Sequence, residues 1–180
     1  MLPDRILDAA GELFAARGVA AVEMTDIARA AGCSRATLYR YFDGRRALHT
    51  AFVHREARRV GDQVARRCAG IGDPHARLSA ALTEALRLVR ESPSLAAWFA
   101  GTLAGTEAAE SSEVVQAMAG TFLSSLGTRD SAGIDRRARW LVRILTSLLV
   151  APGRDTNDER AMLEEFVIPV LVRSHAESGR

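Results

Sequence analysis

Apolar residues in this chain recur at intervals of three and four, and no stretch sustains the apolar–polar alternation of a half-buried strand. That spacing places them on one face of a helix with about 3.6 residues per turn. The expected fold class is therefore all-α, with breakers dividing the chain into helices. Ile6, Ala10, Leu13 and Phe14 share a face of the first helix; Pro3 suits its first turn and Gly18 its stop. Short helices are expected at 24–31 and 34–42. A long one follows from Arg45 to Cys68, with Leu48, Phe52 and Val60 on one face. Ala69 to Pro74 is a break, and the next helix runs to Arg90 with Leu78, Leu82, Leu86 and Val89. Ser92 and Pro93 interrupt it, and Ser94 offers an N-cap for a helix over 94–104. Helices over 107–126, 134–150 and 157–175 complete the expectation. Asp155 or Thr156 can cap the last, and Pro169 should kink it because it removes a helix hydrogen bond.

The most informative run is Met24 to Phe42, MTDIARAAGCSRATLYRYF. Ile27, Ala28 and Ala31 give a short helix its apolar face. Gly32 can take the positive φ of a tight turn. Cys33 fills the core as a small apolar residue, and Ser34 is a good N-cap for the following helix. Leu38 and Phe42, four apart, point together into the core. Two short helices joined by a glycine-containing turn form the helix-turn-helix pattern. The residues left off the apolar face suit DNA. Arg35 and Arg40 can pair with phosphates or guanine edges. Thr37 carries a hydroxyl and a methyl, Ala36 allows close approach to a groove, and Tyr39 and Tyr41 can donate to phosphates. Arg45 can clamp the backbone from the start of the next helix. The competing reading makes the tyrosines rim residues and the arginines a solvated face.

This segment resembles the DNA-binding domain of the TetR family of regulators. The resemblance rests on Asp26-Ile27-Ala28, Ala31-Gly32, Ser34, Thr37-Leu38-Tyr39, Tyr41-Phe42 and Arg45 through Leu48, and it covers about residues 5–50. It implies a homodimer, a palindromic operator and a ligand-responsive C-terminal domain. The division expected is a three-helix DNA-binding domain over 1–46 and a larger helical ligand-binding and dimerisation domain over 47–180. The DNA-binding residues expected are Thr25, Ser34, Arg35, Ala36, Thr37, Tyr39, Arg40, Tyr41 and Arg45. Two positions depart from the family pattern. Glu23 stands where a hydroxyl residue often caps the second helix, and Arg45 replaces the usual lysine, which keeps the charge but changes the geometry.

The charge distribution agrees with a polyanionic partner for the N-terminal part. Residues 1–68 carry twelve arginines against eight acids, whereas residues 69–180 carry twelve against fourteen. In the C-terminal part, Leu82, Leu86, Trp98, Phe99, Thr102, Met118 and Phe122 are the candidate ligand-binding residues, with simple core packing as the alternative for each. No cluster of charges lies among them, so the expected effector is apolar or weakly polar. The last two helices carry wide apolar faces: Trp140, Leu141, Ile144, Leu145, Leu148 and Leu149 on one, Met162, Leu163, Phe166, Val167, Val170 and Leu171 on the other. Two copies of this pair would make a four-helix dimer interface, with burial inside one subunit as the alternative.

Other classes have less support. HExxH, GxSxG, P-loop and GxGxxG motifs are absent from the sequence, so neither an enzyme nor a cofactor is expected. His49, His54, His75 and His175 form no metal-ligand set, and Cys33 and Cys68 form no CxxC pair. The apolar stretch Leu141 to Val150 is broken by Arg143 and Thr146, well short of the roughly 18 apolar residues of a membrane span. A cytoplasmic location is expected, since Asp4 and Arg5 interrupt any leader-like opening. The functional expectation is a ligand-responsive transcriptional regulator, acting as a repressor. The alternative is a helical protein–protein adaptor without DNA binding.

Overall fold

The computed structural model describes residues 1–100, 108–127 and 131–172, and the described residues are helical throughout apart from their connections. Helix α1 spans Leu2–Arg17, with Pro3 in its first turn and Gly18 ending it at φ 76°. Helices α2 (Met24–Ala30), α3 (Arg35–Tyr41) and α4 (Gly44–Cys68) follow. Then come α5 (Pro74–Glu91), α6 (Pro93–Phe99), α7 (Glu113–Ser124) and α8 (Ser131–Val150). The last segment is α9 (Thr156–Met162), a π-helical turn (Leu163–Val167) and α10 (Ile168–Val172), which run on without a break.

Three details differ from expectation for local reasons. Ser92, not Ser94, caps α6: its hydroxyl accepts from Leu95 N–H, and Pro93 takes the first helical position, where a missing N–H costs nothing. The helix expected over 107–126 is interrupted at Ser111 and Ser112, because the Ser112 hydroxyl accepts from Val115 N–H and starts α7 anew. Pro169 is accommodated by a π turn directly before it, in which Ile168 N–H donates to Leu163 O, five residues back. A proline ring clashes with the carbonyl four residues behind it, and a widened turn moves that carbonyl aside. Asp155 is the cap of α9, accepting from Asn157 and Asp158 N–H.

Two cores result. The first joins α1, α2, α3 and the first half of α4 through Ile6, Phe14, Ile27, Leu38, Leu48 and Phe52, and it includes Leu95 and Trp98 of α6. The second joins α5, α7, α8 and the last segment through Leu78, Leu82, Leu123, Leu141, Leu163 and Leu171. Residue 46, the expected domain boundary, lies inside α4, and the first core runs past it to Phe52 and into α6. The approach of α1 to α4 and α6 is close. A Cβ on Gly11 would come within 3.1 Å of the Phe52 ring and 3.7 Å of Ser94 Cβ. The far end of α4 packs on α5 through Val64, Cys68 and Ala81, so α4 bridges the two cores.

Candidate nucleic-acid interface

The α2–α3 unit is held together by the turn between its helices. Gly32 sits at φ 62°, a left-handed conformation that a side chain would strain, and Cys33 N–H donates to Ala28 O at 3.0 Å. Arg5 reaches over from α1 and donates through Nη2 to Ala31 O at 2.7 Å. At the entry to α2, Glu23 N–H donates to the Asp26 carboxylate at 3.3 Å, the reciprocal half of a capping box. Ser34 caps α3: its Oγ accepts from Thr37 N–H at 3.0 Å and lies 2.8 Å from Thr37 Oγ1. Leu38 and Phe42 are buried, so one face of α3 is fixed inward.

The opposite face is open. Thr25, Ser34, Arg35, Ala36, Tyr39, Arg40 and Tyr41 are exposed and Thr37 is half-buried. The Arg35 guanidinium lies 5.3 Å from the centre of the Tyr39 ring, and that of Arg40 lies 5.5 Å from the centre of Tyr41. Stacking on a ring limits where each guanidinium can point while leaving its donors free. Among the described residues neither arginine pairs with a carboxylate. Arg29 does, at 3.7 Å from Asp26. Two uncompensated, ring-supported cations on a narrow exposed helix are suited to phosphates and guanine edges. Arg45 differs from them. Its Nη2 donates to Val19 O at 2.7 Å and Ala20 O at 3.0 Å, in the connection between α1 and α2.

The candidate ligand-binding residues do not gather in one place. Leu82 and Leu86 are buried in the second core. Trp98 is buried in the first, stacked on Phe52 and edge-on to Phe14 and His49, with Phe99 half-buried beside it. Met118 lies on α7 with its methyl against Gly61 of α4. Phe122 is half-buried at the second core, 5.7 Å from the Arg77 guanidinium. Thr102 lies outside the described residues. Cavities among the described residues of this part of the fold include the following two. One of about 280 Å³ lies between α5 and α9 and includes Leu86, Arg90, Glu159 and Leu163 in its wall. The other, an open groove of about 490 Å³ between α7 and α8, is lined by Gln116, Gly120, Thr121, Ile134 and Ala138. Among the described candidate residues only Leu86 lines the first, and none lines the second.

Sequence reasoning missed the charged knots that position these elements. Arg90 of α5 donates to both carboxylate oxygens of the buried Glu159 at 2.7 Å and to Leu148 O at 2.9 Å. Glu159 also accepts from Gly153 N–H at 2.9 Å. Among the described residues, His49 Nε2 is buried without a hydrogen-bond partner. Burial, and then the charge of Arg45, lowers its pKa to about 4. No helix among the described residues is long and apolar enough to cross a membrane.

Comparison with known proteins bears directly on the α1–α4 unit. Residues 6–52 match the model of bacterial regulatory proteins of the tetR family. Rv1255c of Mycobacterium tuberculosis H37Rv, an uncharacterized HTH-type transcriptional regulator, is 55% identical over 179 residues, which cover 98% of this chain and 89% of its own. Among solved structures, the TetR family repressor AlkX from Dietzia sp. strain DQ12-45-1b, implicated in biodegradation of n-alkanes, is similar with a TM-score of 0.74. Its sequence identity is 25%, over 94% of each chain. RolR in complex with resorcinol shares the fold, with a TM-score of 0.73 and 20% identity over 96% of this chain and 94% of its own. From its helix-turn-helix, the family match over residues 6–52 and a relative 55% identical over 98% of its length, the chain belongs to the TetR family of DNA-binding transcriptional regulators.

Proposed function

We propose that the protein is a homodimeric repressor that binds a palindromic operator and releases it when an apolar or weakly polar effector binds its C-terminal part. Residues 1–46 act as the DNA reader, and residues 47–180 carry the effector site and the dimer contact. The observation that carries this reading is the open face of α3, where Arg35 and Arg40 stand on tyrosine rings with no acidic partner among the described residues. In each subunit α3 enters a major groove, with Thr25, Ser34, Ala36, Thr37, Tyr39 and Tyr41 contacting phosphates or base edges around the two arginines. Two-fold symmetry sets the half-site spacing. The effector shifts the spacing of the two readers only as far as its affinity differs between the bound and released arrangements.

An apolar effector is supported by the candidate side chains and not by the cavity walls, since the cavity beside Leu86 also carries Arg87, Arg90, Glu91, Glu159 and Arg160. Leu82, Leu86 and Phe122 lie together at the second core, and Met118 lies on the same helix as Phe122. AlkX, implicated in n-alkane biodegradation, and RolR, bound to resorcinol, are similar in fold and consistent with such a ligand. Dimerisation is supported by apolar side chains that a single chain leaves exposed on α8 and the last segment: Trp140 at 45%, Met162 at 41%, Phe166 at 63% and Val170 at 49%. The decisive experiment is selection of genomic fragments with purified protein, followed by footprinting. A protected palindrome is expected, and Arg40→Ala should weaken its binding by about 1–3 kcal/mol if Arg40 reads a base. Absence of enrichment at low salt from folded dimer would defeat the operator reading.

A further inference from the structure

We infer that Arg45 is a positioning residue for the DNA reader and not one of its phosphate contacts; this rests on the reading of α3 as the element that enters DNA. Arg45 lies in the first turn of α4, after the chain has left α3. Its guanidinium turns back toward the connection between α1 and α2. Nη2 donates to Val19 O at 2.7 Å and to Ala20 O at 3.0 Å, and Nη1 lies 3.8 Å from the Glu23 carboxylate at the N-terminus of α2. Three groups of one short connection are thus gathered on one planar cation.

The chemistry favours an arginine for that role. The two carbonyls follow the end of α1 and have no helical partner of their own; the two N–H groups of Nη2 reach both while Nη1 of the same rigid plane faces the Glu23 carboxylate. An ammonium carries the same charge but not the same geometry. A phosphate approaching this guanidinium would find Nη2 already engaged and a carboxylate beside Nη1. Arg35 and Arg40 face no such competition, being held only by tyrosine rings.

The surrounding arginines act in the same sense. Arg5 fixes the other end of α2 by donating to Ala31 O at 2.7 Å. Farther along α4, Arg55 donates to Asp4 O at 3.1 Å and to the Asp8 carboxylate at 2.8 Å, on α1. The start of α4 is therefore tied to the entry of α2, and its middle to α1. The reader takes its orientation from α4, the same helix that packs on α5 at its far end.

The test compares Arg45→Lys and Arg45→Gln with the wild type. Two probes are used: the duplex that the wild-type protein selects from genomic fragments, and a random-sequence duplex of equal length. Both variants should bind the selected duplex about tenfold more weakly, the size of one lost charge-assisted hydrogen bond. Their log–log salt slope should equal that of the wild type, and binding to the random duplex should be unchanged. A phosphate contact gives a different pattern. Arg45→Gln would then flatten the salt slope by about 0.9 on both duplexes, Arg45→Lys would restore affinity, and the inference would be overturned. Hydrogen exchange on the free protein provides a readout without DNA. Amides of residues 20–27 should exchange faster in Arg45→Lys while those of α1 keep their protection. Unchanged exchange at 20–27 would also overturn the positioning role. If the wild type selects no duplex, the reader assignment of α3 fails, and the exchange result still decides whether Arg45 braces the connection.

Discussion

The His49 imidazole sits one helical turn beyond Arg45, with Phe14 at 5.5 Å and Trp98 at 4.9 Å between ring centres. Burial and then the Arg45 charge hold its pKa at about 4, below the ordinary histidine value of 6.5. The sign follows from the lowered pKa: between about pH 6.5 and pH 4 the unfolded chain binds a proton that the folded chain resists. Stability is complete above pH 6.5 and declines as the pH falls toward 4. The thermal midpoint should therefore drop from pH 7.5 to pH 4.5, and His49→Phe should drop less; equal slopes for the two proteins would refute the assignment. A second residue-scale prediction concerns Glu159, which is buried and neutralised by Arg90. Arg90→Leu leaves that carboxylate without its cation and should cost about 3 kcal/mol in urea unfolding, the low end of the range for a broken buried pair because Arg90 is 34% exposed. Replacing both residues by leucine should recover most of the loss.

At the scale of the element, α3 is a short helix whose existence depends on its ends and on the core beneath it. Seven residues are too few for a helix to persist in isolation. Ser34 supplies the cap, Phe42 N–H closes the last turn on Leu38 O at 3.0 Å, and Leu38 is fully buried. Ser34→Ala should destabilise the protein by about 1 kcal/mol. Ser34→Asp separates the structural and functional parts of that loss. An aspartate caps as well as a serine does, so the melting temperature should match the wild type. The added negative charge on the exposed face should nevertheless weaken duplex binding. If Ser34→Asp binds duplex as the wild type does, that end of α3 is not near the phosphates.

For the whole molecule, apolar surface decides how many copies associate. The side chains of α8 and the last segment divide into two sets: Leu141, Leu148, Leu163, Val167 and Leu171 close the second core, while Trp140, Met162, Phe166 and Val170 remain outside it. Met162, Phe166 and Val170 are spaced by four, so they form a continuous stripe along one side. Phe166→Asp should convert the proposed dimer to monomer in sedimentation equilibrium, with helix content unchanged by circular dichroism. A variant that remains dimeric would move the interface to another face.

The sequence by itself determined what depends on neighbours a few residues away. The all-helical class, the turn at Gly32, the Ser34 cap, the inward pair Leu38 and Phe42 and the outward arginines all follow from helical spacing and local hydrogen bonding. The tertiary structure alone decided where long-range partners lie. Arg45 and Arg5 find carbonyls 25 or 26 positions away, and Arg90 finds a carboxylate 69 positions away. No local pattern marks a carbonyl as the one a distant guanidinium will reach. The candidate effector residues met the same limit. Apolar side chains at helical spacing look alike whether they line a cavity or fill a core, and packing put Leu82, Leu86 and Phe122 in one core and Trp98 and Phe99 in the other. Trp140 and Leu141 are adjacent in the chain, yet one is exposed and the other buried. A step of about 100° around the helix separates them, and only the position of α8 against its neighbours fixed which of the two faces outward.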